Sequence, residues 1–229
     1  MDRKVIIEIN FNNYGMDPHR LERGWIEHRL GIFRKFTLRS LQAQTNQDFL
    51  VVVRIAKESK DLIREILAKQ SPFPSHIRFG TIAESDKAIL AFAKGHKQLY
   101  IARLDSDDLY HRTYVQQLYQ VQPKPDTLVL INQNGYLWDS DYNEMAPIFY
   151  RSPQFYVFLY KTDEYAAGYR IKPIGGKGHG YVINLPHEFL LPRNFVNVVH
   201  SSNTSIKKVP RNNQLSTNEV AKVLREFMI

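Results

Sequence analysis

Three carboxylates stand within four positions at Asp105, Asp107 and Asp108, in the run Arg103-Leu104-Asp105-Ser106-Asp107-Asp108. Like charges this close repel one another unless something positive sits among them. A hard divalent cation suits them: Mg²⁺ or Mn²⁺ prefers oxygen ligands and keeps its remaining positions for water and substrate phosphates. The alternative is a solvated turn that caps the following helix, since helix starts favour Asp. A calcium loop does not fit, because its sixth-position glycine and closing glutamate are absent. An aspartyl phosphatase would also place Asp-x-Asp after an apolar strand, but no companion lysine and second acidic pair follow in the expected order.

Two further segments carry candidate chemistry. His200 follows Val198-Val199, where a histidine standing alone reads as a satisfied structural residue. The stretch Gly175-Gly176-Lys177-Gly178-His179-Gly180 is either a flexible surface loop or a cover that brings Lys177 to a phosphate.

These residues need elements to position them. Residues 5–9 and 49–53 read as buried apolar strands, as do 77–82 and 98–104, the last running straight into the acids. Between them, 20–44, 60–70 and 85–94 carry helical spacing; 113–121 is a further helix and 126–132 a fifth strand. Strands alternating with helices point to a mostly parallel α/β sheet, in which ligands bind beyond the carboxyl ends of the strands. From 136 to 180 the chain is rich in aromatics, glycine and proline, and β-hairpins and loops folded onto the same sheet are expected there. Loops are expected over 171–179 and 201–215. Residues 216–229 read as a helix opened by the capping box Ser216-x-x-Glu219. Its apolar face of Val220, Val223, Leu224 and Phe227 packs on the body or, alternatively, makes a peripheral membrane contact.

The whole chain, 229 residues with 43% apolar and 24% charged, describes one globular domain. We divide it into a 1–132 half, a 133–215 half and the 216–229 helix. With no cysteine, disulfides and thiolate metal sites are excluded. No apolar run is long enough to span a membrane, and a cytoplasmic protein is expected. The net charge of +8 suits an anionic partner: nucleic acid, anionic lipid or a phosphorylated small molecule. No compact basic helix or nucleic-acid motif supports the first.

The segment Thr37 to Thr45, then Asp48-Phe49 and an apolar strand, resembles the opening of GT-A glycosyltransferases, and the DxD run follows the fourth strand as it does in that fold. More narrowly, Arg29 to Phe33, Arg103 to Asp108, Asn134-Gly135-Tyr136 and Val198 to Asn203 resemble the rhamnosyltransferase group of GT-A proteins. The resemblance runs from Asn10 to about Ser205 and implies a GT-A-like (Rossmann-like) α/β fold. It also implies a metal-dependent, inverting transfer of a sugar, rhamnose by the group's name, from a nucleotide-diphosphate sugar to a hydroxyl of a glycan acceptor. On this reading Asp107, Asp108 and His200 hold the metal. Asp105 sits near the ribose or donor sugar, His179 matches a histidine before the last strands, and Phe11, Asn12, Lys57, Lys87, Arg103 and Lys177 complete the donor side. An inverting reaction needs a carboxylate to take the acceptor proton. Among Asp139, Asp141, Asp163, Glu164 and Glu188, the choice is Glu164. The sequence departs from the pattern at Arg54-Ile55-Ala56-Lys57, where an acid is expected, at Asn10-Phe11-Asn12, and at 155–160, where aromatics stand. A sugar-binding module with the same fold and no turnover is the second reading, and a basic nucleic-acid-binding protein the third.

Overall fold

The computed structural model describes residues 2–15, 17–203 and 207–228. Residues 204–206 of the expected 201–215 loop lie outside the described residues, as does the last residue of the expected C-terminal helix. In chain order the first half comprises β1 (Arg3–Asn10), α1 (Arg23–Lys35), α2 (Thr37–Gln42), β2 (Phe49–Arg54), α3 (Lys60–Ala68), β3 (Ile77–Gly80), α4 (Ile82–Phe92) and β4 (Gln98–Asp105). Next come β5 (Leu109–Tyr110), α5 (Tyr114–Gln120), β6 (Val129–Ile131), β7 (Asn134–Asp139), β8 (Glu144–Phe149) and β9 (Tyr156–Lys161). The chain closes with α6 (Thr162–Ala166), β10 (His187–Phe189), β11 (Phe195–Val199) and α7 (Thr217–Phe227).

Strands β1 to β4 run parallel, with β1 between β2 and β4. Helices cover both faces, so these strands are apolar on both sides rather than alternating. Val5, Ile7, Val51 and Val53 pack with Phe33 of α1 and Ile63 of α3, while Ile6, Leu50 and Val52 pack with Ile89 of α4 on the opposite face. The α/β sheet expected from the sequence forms, with helices on both sides.

Three features differ from expectation. First, β6 joins the main sheet but not beside β4. Strand β9 lies antiparallel between them, giving the order β10-β6-β9-β4-β1-β2-β3 among the described residues. Second, the β7–β8 hairpin does not lie on this sheet; it builds a separate one, ordered β5-β11-β7-β8. Its two faces explain why. Leu137, Ala146 and Ile148 turn toward the main core, whereas Trp138 and Met145 join Val196, Val198 and the Val220 and Phe227 face of α7. The tail helix therefore packs on the body, opened by the expected Ser216–Glu219 capping box. Third, the single helix expected over 20–44 breaks at Phe36 (φ −117°, ψ −79°). The Phe36 ring is buried edge-on against Trp138, and beyond the break Thr37 Oγ1 donates to the Asp108 carbonyl at 2.9 Å. Ser40 Oγ donates likewise to the Tyr110 carbonyl at 2.8 Å.

Candidate functional site

The acidic run is the passage between the two sheets. Asp105 ends β4 in the main sheet, Ser106 and Asp107 turn, and Leu109-Tyr110 enters the second sheet as β5 against β11. The Asp108 amide closes the turn on the Asp105 carbonyl at 3.2 Å. A cleft of about 520 Å³ opens at the turn, beyond the carboxyl ends of β1 and β4, where a parallel sheet offers its ligand site.

The two buried acids of the turn do different things. Asp108 Oδ1 accepts from Asn197 Nδ2 and from the Val198 amide, each at 2.8 Å. Its Oδ2 faces Gln154 Nε2 at 3.5 Å. Asp108 thus staples β11 to the end of β4. Burial pushes its carboxyl well above the usual range, with Asp107 and Asp105 adding to the rise and the Asn197 and Val198 hydrogen bonds opposing it.

The staple sets the position of His200, the residue after β11. His200 Nε2 lies 3.3 Å from Asp107 Oδ2, and its ring stacks on Phe36 at 6.1 Å. Asp141 Oδ2 holds the next amide, Ser201 N, at 2.8 Å. Asn203 Nδ2 also donates to Asp107 Oδ2, at 3.2 Å. From the other wall Arg29 of α1 reaches the same oxygen at 3.3 and 3.4 Å, and donates to Ser106 Oγ at 2.6 Å. Burial pushes the Asp107 carboxyl up, but the His200 hydrogen bond and the Arg29 charge outweigh it and hold it below the ordinary value. Asp107 is therefore an ionised, cleft-facing carboxylate with a histidine beside it.

That pair fits a divalent cation. One carboxylate and one imidazole leave the rest of the coordination to water and phosphate oxygens, which is how Mg²⁺ and Mn²⁺ are commonly held with nucleotides. Asp108 does not fit as the third ligand expected from the sequence, because its oxygens are committed to β11 and Gln154. Among the described residues, no group of three His, Asp or Glu side chains could hold a metal unaided.

The cleft also gathers Phe11, Asn12, Arg103, Asp105 and His179 from the expected donor set. Asn12 is a bracket rather than a free contact: its amide donates to the Arg20 carbonyl and Ser59 Oγ, and its oxygen accepts from the Ala56 amide. Phe11 packs edge-on against Trp25 and Phe79. Arg103 pairs with Asp105 at 2.9 Å. Lys57, Lys87 and Lys177 are exposed and do not line the cleft. Glu164 requires a correction. It opens α6 after β9, whose Lys161 pairs with Gln98 at the amino end of β4, so it stands at the opposite end of the strand from Asp105. There it is paired to Lys161.

Sequence reasoning missed Arg29, Asn197, Gln154 and Lys207 as cleft or clamp residues. For Arg29 a signal existed, since Trp25 and Arg29 stand four apart along the inner edge of α1. For Asn197 and Gln154 there was none, because their partner is a carboxylate in a distant segment.

The family model described as putative rhamnosyl transferase matches residues 18–138, just over half of the chain and including Arg29 and the whole acidic run. The chain belongs to this family. No curated protein matches it. Solved structures are similar at low identity. Staphylococcus aureus TarS 1–349 shares 14% identity over 85% of this chain and 60% of that one, with a TM-score of 0.44. The same protein in complex with UDP-GlcNAc shares 13% over 96% of this chain and 65% of that one, at 0.49. The 4-diphosphocytidyl-2C-methyl-D-erythritol synthase of Anaerococcus prevotii DSM 20548 shares 14% over 98% of this chain and 100% of that one, at 0.37. The rhamnosyl transferase family member described here thus spans less than two thirds of the TarS chains. Among its described residues no helix is long and apolar enough to cross a membrane.

Proposed function

We propose that this chain transfers a sugar, rhamnose by its family's description, from a nucleoside-diphosphate sugar to a hydroxyl of a glycan acceptor. The observation that carries the proposal is the ionised Asp107, paired with His200 at the strand ends and facing a cleft that also holds Arg29, Arg103 and Lys207. A bound Mn²⁺ or Mg²⁺, held by Asp107 and His200, would neutralise the leaving diphosphate. The protein's own part is positional and electrostatic. Arg29, Arg103 and Lys207 give the cleft a positive field for phosphate, and Asp108 keeps β11 and His200 in register.

An inverting transfer needs a base in the same cleft. Among the described residues, the cleft lining offers one carboxylate outside the acidic run, Asp17, whose oxygens accept from the Trp25 indole and the His19 amide. His179 lines the cleft as well, and partial desolvation, helped by the Arg103 charge, lowers its pKa so that the ring is neutral near pH 7. We assign the acceptor proton to His179. His179→Gln is expected to retain nucleotide binding and lose transfer by about 10²-fold or more, measured as turnover against nucleotide affinity in the same preparation.

A thermal-shift panel of UDP, GDP and dTDP sugars, with and without Mn²⁺, tests the donor reading. A true donor raises the melting temperature by mass action, and more so with Mn²⁺. Asp107→Asn should remove the Mn²⁺-dependent part of that rise. A panel in which no nucleotide-sugar responds to Mn²⁺ would sink the proposal.

A further inference from the structure

Asp107 already has a cation on it. Among the described residues, the cleft's arginines and lysines are Arg20, Arg29, Arg103 and Lys207; Arg103 is committed to Asp105 and Lys207 Nζ donates to Asn197 Oδ1, but Arg29 sits on the carboxylate that the donor reading gives to a metal. Its two contacts to Asp107 Oδ2, at 3.3 and 3.4 Å, are long for charge-assisted hydrogen bonds, which close to 2.7–2.9 Å. Only the Ser106 contact, at 2.6 Å, is tight. The guanidinium also lies 6.0 Å from the ring of Trp25, another cleft residue one turn earlier on α1. It therefore has a second surface to move across while the helix stays fixed.

One carboxylate oxygen does not hold a guanidinium and a divalent ion together, because two cations within about 4 Å repel strongly in a partly desolvated cleft. A divalent ion arriving alone has to displace Arg29 and leave it only Asp17, whose charge reaches it but whose oxygens already accept from the His19 amide and the Trp25 indole. Arriving with a diphosphate, the same ion brings Arg29 a new anionic partner, and the planar guanidinium fork suits phosphate oxygens. We propose that Arg29 is a resident counter-ion of the donor cleft, neutralising Asp107 in the free protein and passing to the diphosphate when metal and nucleotide bind together. This rests on the donor reading above. Its consequence is a coupling: metal and nucleoside diphosphate each bind weakly alone and strengthen one another, with Arg29 supplying part of that coupling. Arg29 acts here as a positioning residue.

The test is calorimetric titration of Mn²⁺ into wild type and Arg29→Gln, alone and with saturating UDP, GDP or dTDP. Arg29→Gln should bind Mn²⁺ alone about tenfold tighter or more, the low end of what an opposite charge within 4–6 Å does to a carboxylate. The gain in Mn²⁺ affinity on adding the nucleoside diphosphate should shrink by a similar factor. Unchanged or weaker Mn²⁺ binding by Arg29→Gln, with wild-type coupling intact, overturns the counter-ion role and leaves the donor cleft standing. Absence of coupling in wild type with all three diphosphates instead overturns the donor reading itself. Should Arg29→Gln not melt cooperatively, Ser106→Ala replaces it: losing the tight anchor should shift Mn²⁺ affinity in the same direction by a smaller factor, and no shift counts against the proposal.

Discussion

Asp107 and Asp108 are adjacent, chemically identical side chains and both buried, yet they do different work because their partners differ. Asp108 spends its oxygens on β11, so its removal is a stability event. Asp108→Ala leaves the Asn197 amide and the Val198 N–H without an acceptor in the interior. At about 1–3 kcal/mol for each buried unsatisfied group, a loss of roughly 3 kcal/mol in urea unfolding is expected. Asp108→Asn keeps a carbonyl oxygen at the same place and should lose less than half as much. Asp107 faces the cleft, and Asp107→Asn should cost binding rather than folding. The sequence showed the cluster and the histidine that completes it, because both lie in short, recognisable runs. It could not show which carboxylate faces which way. That is decided by Asn197, 89 positions from Asp108, and by Arg29, 78 positions from Asp107.

At the scale of elements, the parallel strands, their helices and the capped tail helix were legible, while β5, the placing of β9 and the break at Phe36 were not, for a physical reason. Parallel strands buried on both faces write continuous apolar runs, and the helices between them write a 3.6-residue period. Strand β5 has two residues, too few for any period. Strand β9 carries an aromatic run that fits a core, a sugar platform or an antiparallel strand equally well. The break at Phe36 was hidden because α1 and α2 share one apolar rhythm; tertiary hydrogen bonds from Thr37 and Ser40 to the segment after the acids decide it. Local capping chemistry, by contrast, acts within a few residues. In α4, Glu84 closes a capping box with Thr81 and pairs with Lys60, and its pKa is lowered to about 2, the Lys60 hydrogen bond being the largest cause. A carboxyl depressed in the folded state contributes stability above its unfolded pKa of about 4.5, and that contribution fades as pH falls toward about 2. The side chain is 40% exposed, so screening reduces the effect to about 1 kcal/mol. Urea unfolding should therefore find Glu84→Gln less stable than wild type at pH 7 by about that amount and equal to it near pH 2.

For the whole molecule, the cleft depends on two sheets meeting at one turn, and α7 is what covers the second sheet. Phe227 is 1% exposed and meets His111 and Tyr136 edge-on. The Arg112 amide donates to the Glu226 carbonyl at 2.9 Å, tying the helix to the segment just after β5. Truncating a buried phenylalanine costs about 3–5 kcal/mol through lost burial and the cavity left behind, so Phe227→Ala should lower the urea midpoint by a corresponding amount. Its effect on the site should be different in kind. The Asp108 staple bonds the Asn197 side chain, on the face of β11 opposite the Val196 and Val198 side chains that meet α7; Phe36 shares that α7 cluster, but the chain just after it is held by hydrogen bonds from Thr37 and Ser40 to the Asp108 and Tyr110 carbonyls. Far below the melting temperature, then, Mn²⁺ and nucleoside diphosphate should bind Phe227→Ala as they bind wild type, while the same titration close to its melting temperature should weaken by mass action alone. Weaker binding at low temperature, in proportion to the lost stability, would mean that α7 shapes the cleft and not only covers the sheet behind it.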